Sequence, residues 1–119
     1  MNVKIYKYIN LDYLDMMSDG DDSMKKTMLE MLLEELPLEF GKMTELLEQK
    51  NWETLSSVSH KMKSTLSFVG NEEMNNANQQ IEHVAKSDPS SESLKGLINL
   101  LEELCPKVIS ELEEEFSKL

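Results

Sequence analysis

The sequence predicts an all-α protein: an antiparallel four-helix bundle with a short additional N-terminal helix. Abundant Leu, Glu, Met and Lys, with only four Gly and 6% aromatic residues, favour helices over sheets. Apolar residues recur at spacings of three and four in five successive segments, which is the helical period. The connections between these segments are short, so consecutive helices should pack as antiparallel neighbours.

The N-terminal segments are short. Residues 1–9 form an arm to which the pattern assigns no role. Leu11, Leu14 and Met17 have helical spacing and predict a first helix over about residues 10–18, which Gly20 ends.

The second helix is predicted to be long. Asp21 or Asp22 can cap it by accepting a backbone N–H bond. Pro37 falls inside it, but the apolar stripe keeps its phase across the proline, so we expect one helix kinked near Pro37. A true break at Pro37 is the alternative. The stripe consists of Met28, Leu29, Leu32, Leu33, Leu36, Phe40, Met43 and Leu47.

The third helix is predicted between two end signals. Asn51 is a good N-cap, and Glu53 in the first turn suits the helix dipole. Gly70 can take the left-handed conformation that ends a helix near Val69. One apolar stripe runs between these signals, through Leu55, Val58, Met62, Leu66 and Val69.

Two further helices complete the prediction. Asn71 caps the fourth, whose stripe is Met74, Ala77, Ile81 and Val84. Ser90 or Ser91 caps the fifth, which we expect to kink near Pro106. The acidic run from Glu111 to Glu115 near the end of this helix is expected to be a solvated face. The stripe of the fifth helix consists of Leu94, Leu97, Ile98, Leu101, Leu104, Val108, Ile109, Leu112 and Phe116.

Length and charge restrict the classes of function. The 119 residues predict one domain over 1–119, and a net charge of −11 argues against nucleic-acid and anionic-membrane partners. Cys105 stands alone at an apolar position, which predicts a buried side chain and neither a disulfide nor a zinc cluster. Without a membrane-length apolar run or a signal-peptide core, we expect a cytoplasmic protein. We also expect a monomer with no metal site and no nucleotide-binding loop.

His60 has the most informative position in the chain. It lies about 160° around the third helix from Met62, so it should point away from the apolar stripe into water. No bulky side chain within one helical turn should shield it, so the imidazole is a reachable nucleophile. Its predicted neighbours are Ser56, Ser57, Lys63, Ser64 and Ser67.

The charge around His60 supports a functional role. Residues 54–71 contain no Asp or Glu, only Lys61 and Lys63, although the chain has 23 acidic and 12 basic side chains. Such a cationic segment suits an anionic ligand, and Lys63 can reach a group held on His60. The competing interpretation is an ordinary exposed histidine, which is how we interpret His83.

The sequence from His60 to Gly70 resembles the signature of histidine-containing phosphotransfer (HPt) domains. In that family an apolar residue, a lysine, small residues and a closing glycine follow the histidine, and Met62, Lys63, Thr65 and Gly70 occupy those positions. The resemblance covers roughly residues 10–118 and includes the acidic turn 19–21, Pro37 and the turn at 51–52. One position differs, because Ser64 stands where the family usually has Gly.

The resemblance implies a phosphorelay carrier that works with response-regulator receiver domains and a hybrid histidine kinase. His60 would accept a phosphoryl group from a receiver phospho-aspartate and pass it to another receiver, with Lys63 stabilising it. This chain would need no cofactor, because magnesium belongs to the receiver, and it would not be an enzyme with its own turnover. The receiver would dock on Ser56, Ser57, Lys61, Ser64, Ser67 and Phe68, although Phe68 could instead pack on a neighbouring helix.

Three other functions compete with this one. The same helices could bind a receiver or kinase without carrying phosphate, which Ser64 weakly favours. The chain could also be a helical scaffold or dimerisation bundle, for which His60 would be unimportant. A dimerisation domain of an autokinase fits less well, because such domains adjoin an ATP-binding module and no such module is visible here.

Overall fold

The computed structural model describes residues 5–89 and 92–119, and within these ranges the chain forms five α-helices and no strand. The helices are α1 (Asp12–Ser18), α2 (Asp22–Glu48), α3 (Trp52–Val69), α4 (Glu72–Ser87) and α5 (Glu92–Ser117). The all-helical class and the order of the helices are therefore as predicted. The predicted caps of α5, Ser90 and Ser91, lie outside the described residues.

Helix α2 is continuous through Pro37 over its 27 residues, so the alternative of two separate helices is wrong. Asp21 caps it by accepting hydrogen bonds from the backbone N–H groups of Ser23 and Met24. Pro106 likewise lies inside α5. The kinks expected at the two prolines stay predictions.

The four long helices contact one another in a closed cycle, in which α2 packs on α3, α3 on α4, α4 on α5 and α5 on α2. Helix α1 contacts α2 and α3. The molecule is elongated, with extents of 50 × 22 × 18 Å. The core between the helices is mostly leucine and methionine, and its fully buried side chains include Leu14, Leu29, Leu32, Leu36, Phe40, Met43, Leu55, Leu66, Met74, Ile81, Leu94 and Ile98.

The prediction for Cys105 can be compared directly with this core. Cys105 is buried, as expected, and burial raises the pKa of its thiol to about 11.

The chain turns after α1 at Asp19, whose φ of 50° is left-handed, and Gly20 follows with φ 76°. The first helix therefore ends at residue 18, as predicted, and Asp19 takes the left-handed conformation one position before Gly20, because an aspartate also tolerates it. No helix among the described residues combines the length and apolarity that crossing a bilayer requires.

The N-terminal arm, whose described part is residues 5–11 before α1, is bound by the acidic run of α5. One carboxylate, that of Glu111, accepts hydrogen bonds from the backbone N–H groups of Tyr8 at 2.7 Å, Lys7 at 3.0 Å and Ile9 at 3.1 Å. These N–H groups belong to no helix and need acceptors, which the side chain supplies. The prediction that residues 111–115 form only a solvated face is therefore wrong.

Glu115 extends this attachment. It accepts hydrogen bonds from the Tyr6 hydroxyl and the Lys25 ammonium, each at 2.7 Å, and Lys25 also pairs with Asp15 at 2.8 Å. Burial acts to raise the pKa of Glu115, but the bonds from Lys25 and Tyr6 outweigh it and hold the pKa below its ordinary value. Burial and the neighbouring Glu115 raise the pKa of Tyr6.

The arm also closes the end of α3. The backbone N–H of Asn10 donates to the carbonyl of Val69 at 2.9 Å, and the Asn71 side chain donates to the carbonyl of Tyr8 at 2.8 Å. Gly70 ends α3 with φ 72°, as predicted. A Cβ added at Gly70 would overlap the backbone oxygen of Asn10, so the arm approaches this turn as closely as a glycine permits.

Candidate functional site

His60 lies on the outer surface of α3, and 66% of its side chain is exposed. The opposite side of the helix carries the buried residues Leu55, Met62 and Leu66, so the predicted orientation is confirmed. Lys61 and most of the predicted neighbours share the exposed surface; these neighbours are Ser57, Lys63, Ser64 and Ser67. The hydroxyl of Ser67 donates to the carbonyl of Ser64.

Ser56 is the exception among these neighbours, because it is only 4% exposed. Its hydroxyl donates to the backbone carbonyl of Glu82 on α4 at 3.3 Å. Ser56 faces the side of α3 on which α4 packs, whereas His60 projects just beyond that contact. The structure therefore places Ser56 in the contact between the two helices, and its predicted contact with a docking partner stays a prediction.

A carboxylate contacts His60, contrary to the acid-free surroundings expected from the sequence. The Nδ1 atom of His60 lies 2.9 Å from Oε2 of Glu82, whose side chain is 15% exposed. Residues 54–71 do lack acidic side chains, but the packing of α4 against α3 brings Glu82 to the ring from another helix. The expectation failed because it considered the charges of one helix alone.

This hydrogen bond determines which imidazole nitrogen is available. A carboxylate accepts, so Nδ1 carries the proton in the neutral ring and Nε2 keeps its lone pair. Burial acts to raise the pKa of Glu82, but bonds from His60 and Lys86 and the nearby charge of Lys63 hold it below its ordinary value. Glu82 is therefore ionised at neutral pH, and the arrangement presents Nε2 as a nucleophile.

A shallow groove of about 540 Å³ adjoins the imidazole between α3 and α4. Lys86 lines it and lies 3.4 Å from the same Glu82 oxygen that His60 contacts. Sequence reasoning missed both residues of α4, although their spacing of four could have indicated an ion pair on one helix face. The lining residues are Trp52, Glu53, Ser56, Ser57, His60, Ala85 and Lys86.

An apolar surface lies toward the C-terminal end of α3. Phe68 is half-buried, and its ring stacks on that of Tyr13 from α1 with centroids 5.2 Å apart and planes 28° apart. Tyr13, Met16 and Met17 remain 42%, 64% and 48% exposed, which is high for such side chains. We call these four residues the α1–α3 apolar patch. Phe68 thus packs on a neighbouring helix, and the contribution of α1 was missed because its short pattern predicted only a helix.

Other candidate groups carry less chemistry. His83 is exposed on α4, as predicted. In the described ranges, 5–89 and 92–119, no three His, Cys, Asp or Glu side chains are arranged to hold a metal ion.

Comparisons with known proteins agree with this geometry. A family model described as the Hpt domain matches residues 27–117. The fold is similar to the crystal structure of the HPT domain from the Hpt sensor hybrid histidine kinase of Shewanella, with a TM-score of 0.75 and 26% identity. That similarity covers 93% of this chain and 95% of the other. A comparison with curated proteins finds no significant match.

Proposed function

The chain belongs to the Hpt domain family, whose members transfer phosphoryl groups on histidine in phosphorelay signalling, and we propose that His60 is the residue that does so here. The observation that carries this proposal is the exposed imidazole whose Nδ1 atom is bonded to Glu82, leaving Nε2 directed to solvent. The chain accepts a phosphoryl group from the phospho-aspartate of one receiver domain and gives it to the aspartate of another.

The transfer is an in-line displacement at phosphorus. The lone pair of His60 Nε2 forms the N–P bond while the bond from phosphorus to the aspartate oxygen breaks, and the aspartate leaves as a carboxylate. The imidazole keeps its Nδ1 proton and becomes positively charged. The same atoms run in reverse when phosphohistidine meets the unphosphorylated aspartate of the second receiver.

Two charged side chains near the imidazole support this step. Glu82 stabilises the positive charge on the imidazole through Nδ1, and it lies away from Nε2, where a carboxylate would repel the phosphoryl group. Lys63, three residues after His60 on the same exposed surface, pairs with the phosphoryl oxygens.

The partner is a receiver domain, and it docks around His60. Small side chains admit it closely: Ser57, Ser64 and Ser67 are all exposed on α3. Lys61 attracts its acidic pocket, and Phe68 provides the apolar contact together with the rest of the α1–α3 apolar patch. The magnesium ion that the transfer needs is held by that pocket, so this chain requires no cofactor of its own.

The proposal includes the wider assignments of the chain. It acts as one domain over residues 1–119, a carrier without turnover of its own, in the cytoplasm where receiver domains and a hybrid histidine kinase are available. Its long helices form an antiparallel four-helix bundle, kinked near Pro37 and Pro106. This architecture supports His60 midway along one side, where a partner can reach it.

The experiment is transfer of labelled phosphate from receiver domains loaded with acetyl phosphate. We expect the wild-type chain and His83→Gln to become labelled, and His60→Gln to remain unlabelled with an unchanged circular dichroism spectrum. Label on His60→Gln would refute the assignment of His60. A wild-type chain that binds a receiver but never becomes labelled would instead favour the module that carries no phosphate.

A further inference from the structure

A buried polar pair joins α3 to α4 at the residue that precedes His60. Ser59 is 0% exposed and Asn78 is 2% exposed. The Ser59 hydroxyl lies 2.7 Å from the carbonyl oxygen of Asn78 and 2.9 Å from its Oδ1 atom, and shares its proton between them. The Asn78 side chain donates in return to the carbonyl of Ser59 at 2.9 Å. Both polar side chains thus have partners inside a mostly apolar interface.

A second hydrogen bond continues this contact by one turn. Ser56, three residues before Ser59, donates to the carbonyl of Glu82, four residues after Asn78. Residues at these spacings lie one above another on a helix face. The two serines of α3 therefore bond successive turns of α4, and the second of these turns carries Glu82.

The directional hydrogen bonds fix the position of α4 along α3, which the surrounding apolar contacts cannot do. The remaining α4 side of this interface includes Ala77, Ile81 and Ala85, whose burial favours close packing without selecting one sliding position. Hydrogen bonds require defined distances and angles, and a shift of α4 along α3 would leave the Ser59–Asn78 groups buried without partners. The pair therefore sets the register of the two helices.

We propose that Ser59 and Asn78 are positioning residues for phosphoryl transfer, because they hold Glu82 at hydrogen-bonding distance from Nδ1 of His60. This inference rests on the proposed function of His60. Ser59 is adjacent to His60 in the chain, and Glu82 is one turn from Asn78, so the register fixed by the pair also fixes the 2.9 Å contact. Neither residue touches the partner, and both act through Glu82.

The test replaces both polar groups by apolar ones, in the variant Ser59→Ala/Asn78→Leu, which leaves neither residue's side chain unpaired. We expect imidazole ¹⁵N shifts to show mainly the Nδ1–H tautomer of neutral His60 in the wild type and a growing share of Nε2–H in the variant. At saturating phospho-receiver the transfer rate should fall on the order of tenfold, because the nucleophile is misaligned. The receiver concentration for half-maximal rate should not change.

Ile98→Val in α5 is the matched control for a loss of core packing, and it should leave both the tautomer and the rate unchanged. A folded double variant with the wild-type tautomer and rate would overturn the proposal. If the double variant does not fold, the same two measurements on Ser59→Ala decide. A wild-type chain that accepts no phosphate would defeat the proposed function, whereas the tautomer measurement would still test the positioning.

Discussion

A single carboxylate changes how the chemistry of His60 is understood. An acid-free surface suits a group that must hold a phosphoryl anion, and residues 54–69 of α3 meet that condition. Glu82 nevertheless bonds the ring, and it does so at Nδ1. The nitrogen that would carry the phosphoryl group faces away from it, so the carboxylate can stabilise a ring cation without repelling the phosphoryl oxygens.

This arrangement predicts the effect of neutralising Glu82. The variant Glu82→Gln can still accept a hydrogen bond from Nδ1, but it loses the negative charge that stabilises the imidazole cation. We expect the rate of labelling at saturating phospho-receiver to fall about tenfold, which corresponds to about 1.4 kcal/mol.

Glu53→Gln is the control for Glu82→Gln, because Glu53 lines the same groove. It should label at the wild-type rate. Equal rates for wild type and Glu82→Gln, measured by rapid quenching, would show that the charge of Glu82 has no part in the transfer.

For single residues, the sequence predicted the features that depend on one helix. It did not predict the features that depend on how two helices pack. The angle between His60 and Met62 predicted the exposure of the imidazole, because both lie on α3. The burial of Ser56 and the contact of Glu82 depend on how α4 packs against α3, and the periodicity of either helix alone does not specify that register. Ser59 and Asn78 were missed for the same reason.

At the scale of the helices, the spacing of apolar residues was a reliable predictor of secondary structure. The stripe that keeps its phase across Pro37 predicted one continuous α2, and Asn51 and Gly70 predicted both ends of α3. The N-terminal arm has no period, and its attachment uses single polar groups such as Glu111. Contacts of that kind join residues about a hundred positions apart and leave no local pattern.

The contact between the arm and the α3–α4 turn predicts a cost for any side chain at Gly70. The variant Gly70→Ala combines an unfavourable φ of 72° with overlap on the Asn10 carbonyl oxygen. We expect it to lower the free energy of unfolding by about 1–3 kcal/mol, measured by urea denaturation.

Gly41→Ala provides the opposite expectation within a helix. An added Cβ at Gly41 meets nothing within 4 Å, so alanine should raise the free energy of unfolding by about 0.5–1 kcal/mol. If Gly70→Ala were as stable as wild type, the arm would not press on this turn in solution.

The ion pair between α5 and α2 predicts how stability depends on pH. The folded-state pKa of Glu115 lies below its ordinary value of 4.5, so its contribution is fully present above pH 4.5 and is lost as the pH falls through the folded-state pKa. Glu115→Gln should cost about 1–2 kcal/mol at pH 7 and reduce the loss of stability on acidification.

Glu113→Gln is the matched control on the same acidic run, because Glu113 is exposed. It should change the free energy of unfolding by less than about 0.5 kcal/mol. Thermal unfolding of the three proteins from pH 7 to pH 3 distinguishes them. Coinciding curves for wild type and Glu115→Gln would mean that the Lys25 and Tyr6 bonds do not stabilise the fold.

Over the whole molecule, net charge and apolar surface act in opposite directions. The core takes up the predicted stripes, yet large apolar side chains remain exposed on α1 and α2. Such surfaces favour association, whereas a net charge of −11 opposes contact between two copies. The exposed residues on these two helices are Tyr13, Met16, Met17, Met24, Met31 and Leu38.

We predict that the chain remains a monomer even when salt weakens the repulsion between negatively charged copies. Sedimentation velocity should give a single species of 13.7 kDa in 0.1 M salt and again in 1 M salt, where the Debye length falls from about 10 Å to about 3 Å. The exposed side chains are spread along two helices, and the transient receiver contact that we propose for those of α1 needs less apolar area than a stable dimer does. A dimer that forms only in 1 M salt would show that charge alone separates the copies. A dimer at both salt concentrations would favour the dimerisation bundle over the carrier. In that case a second copy would occupy the surface that we assign to the receiver.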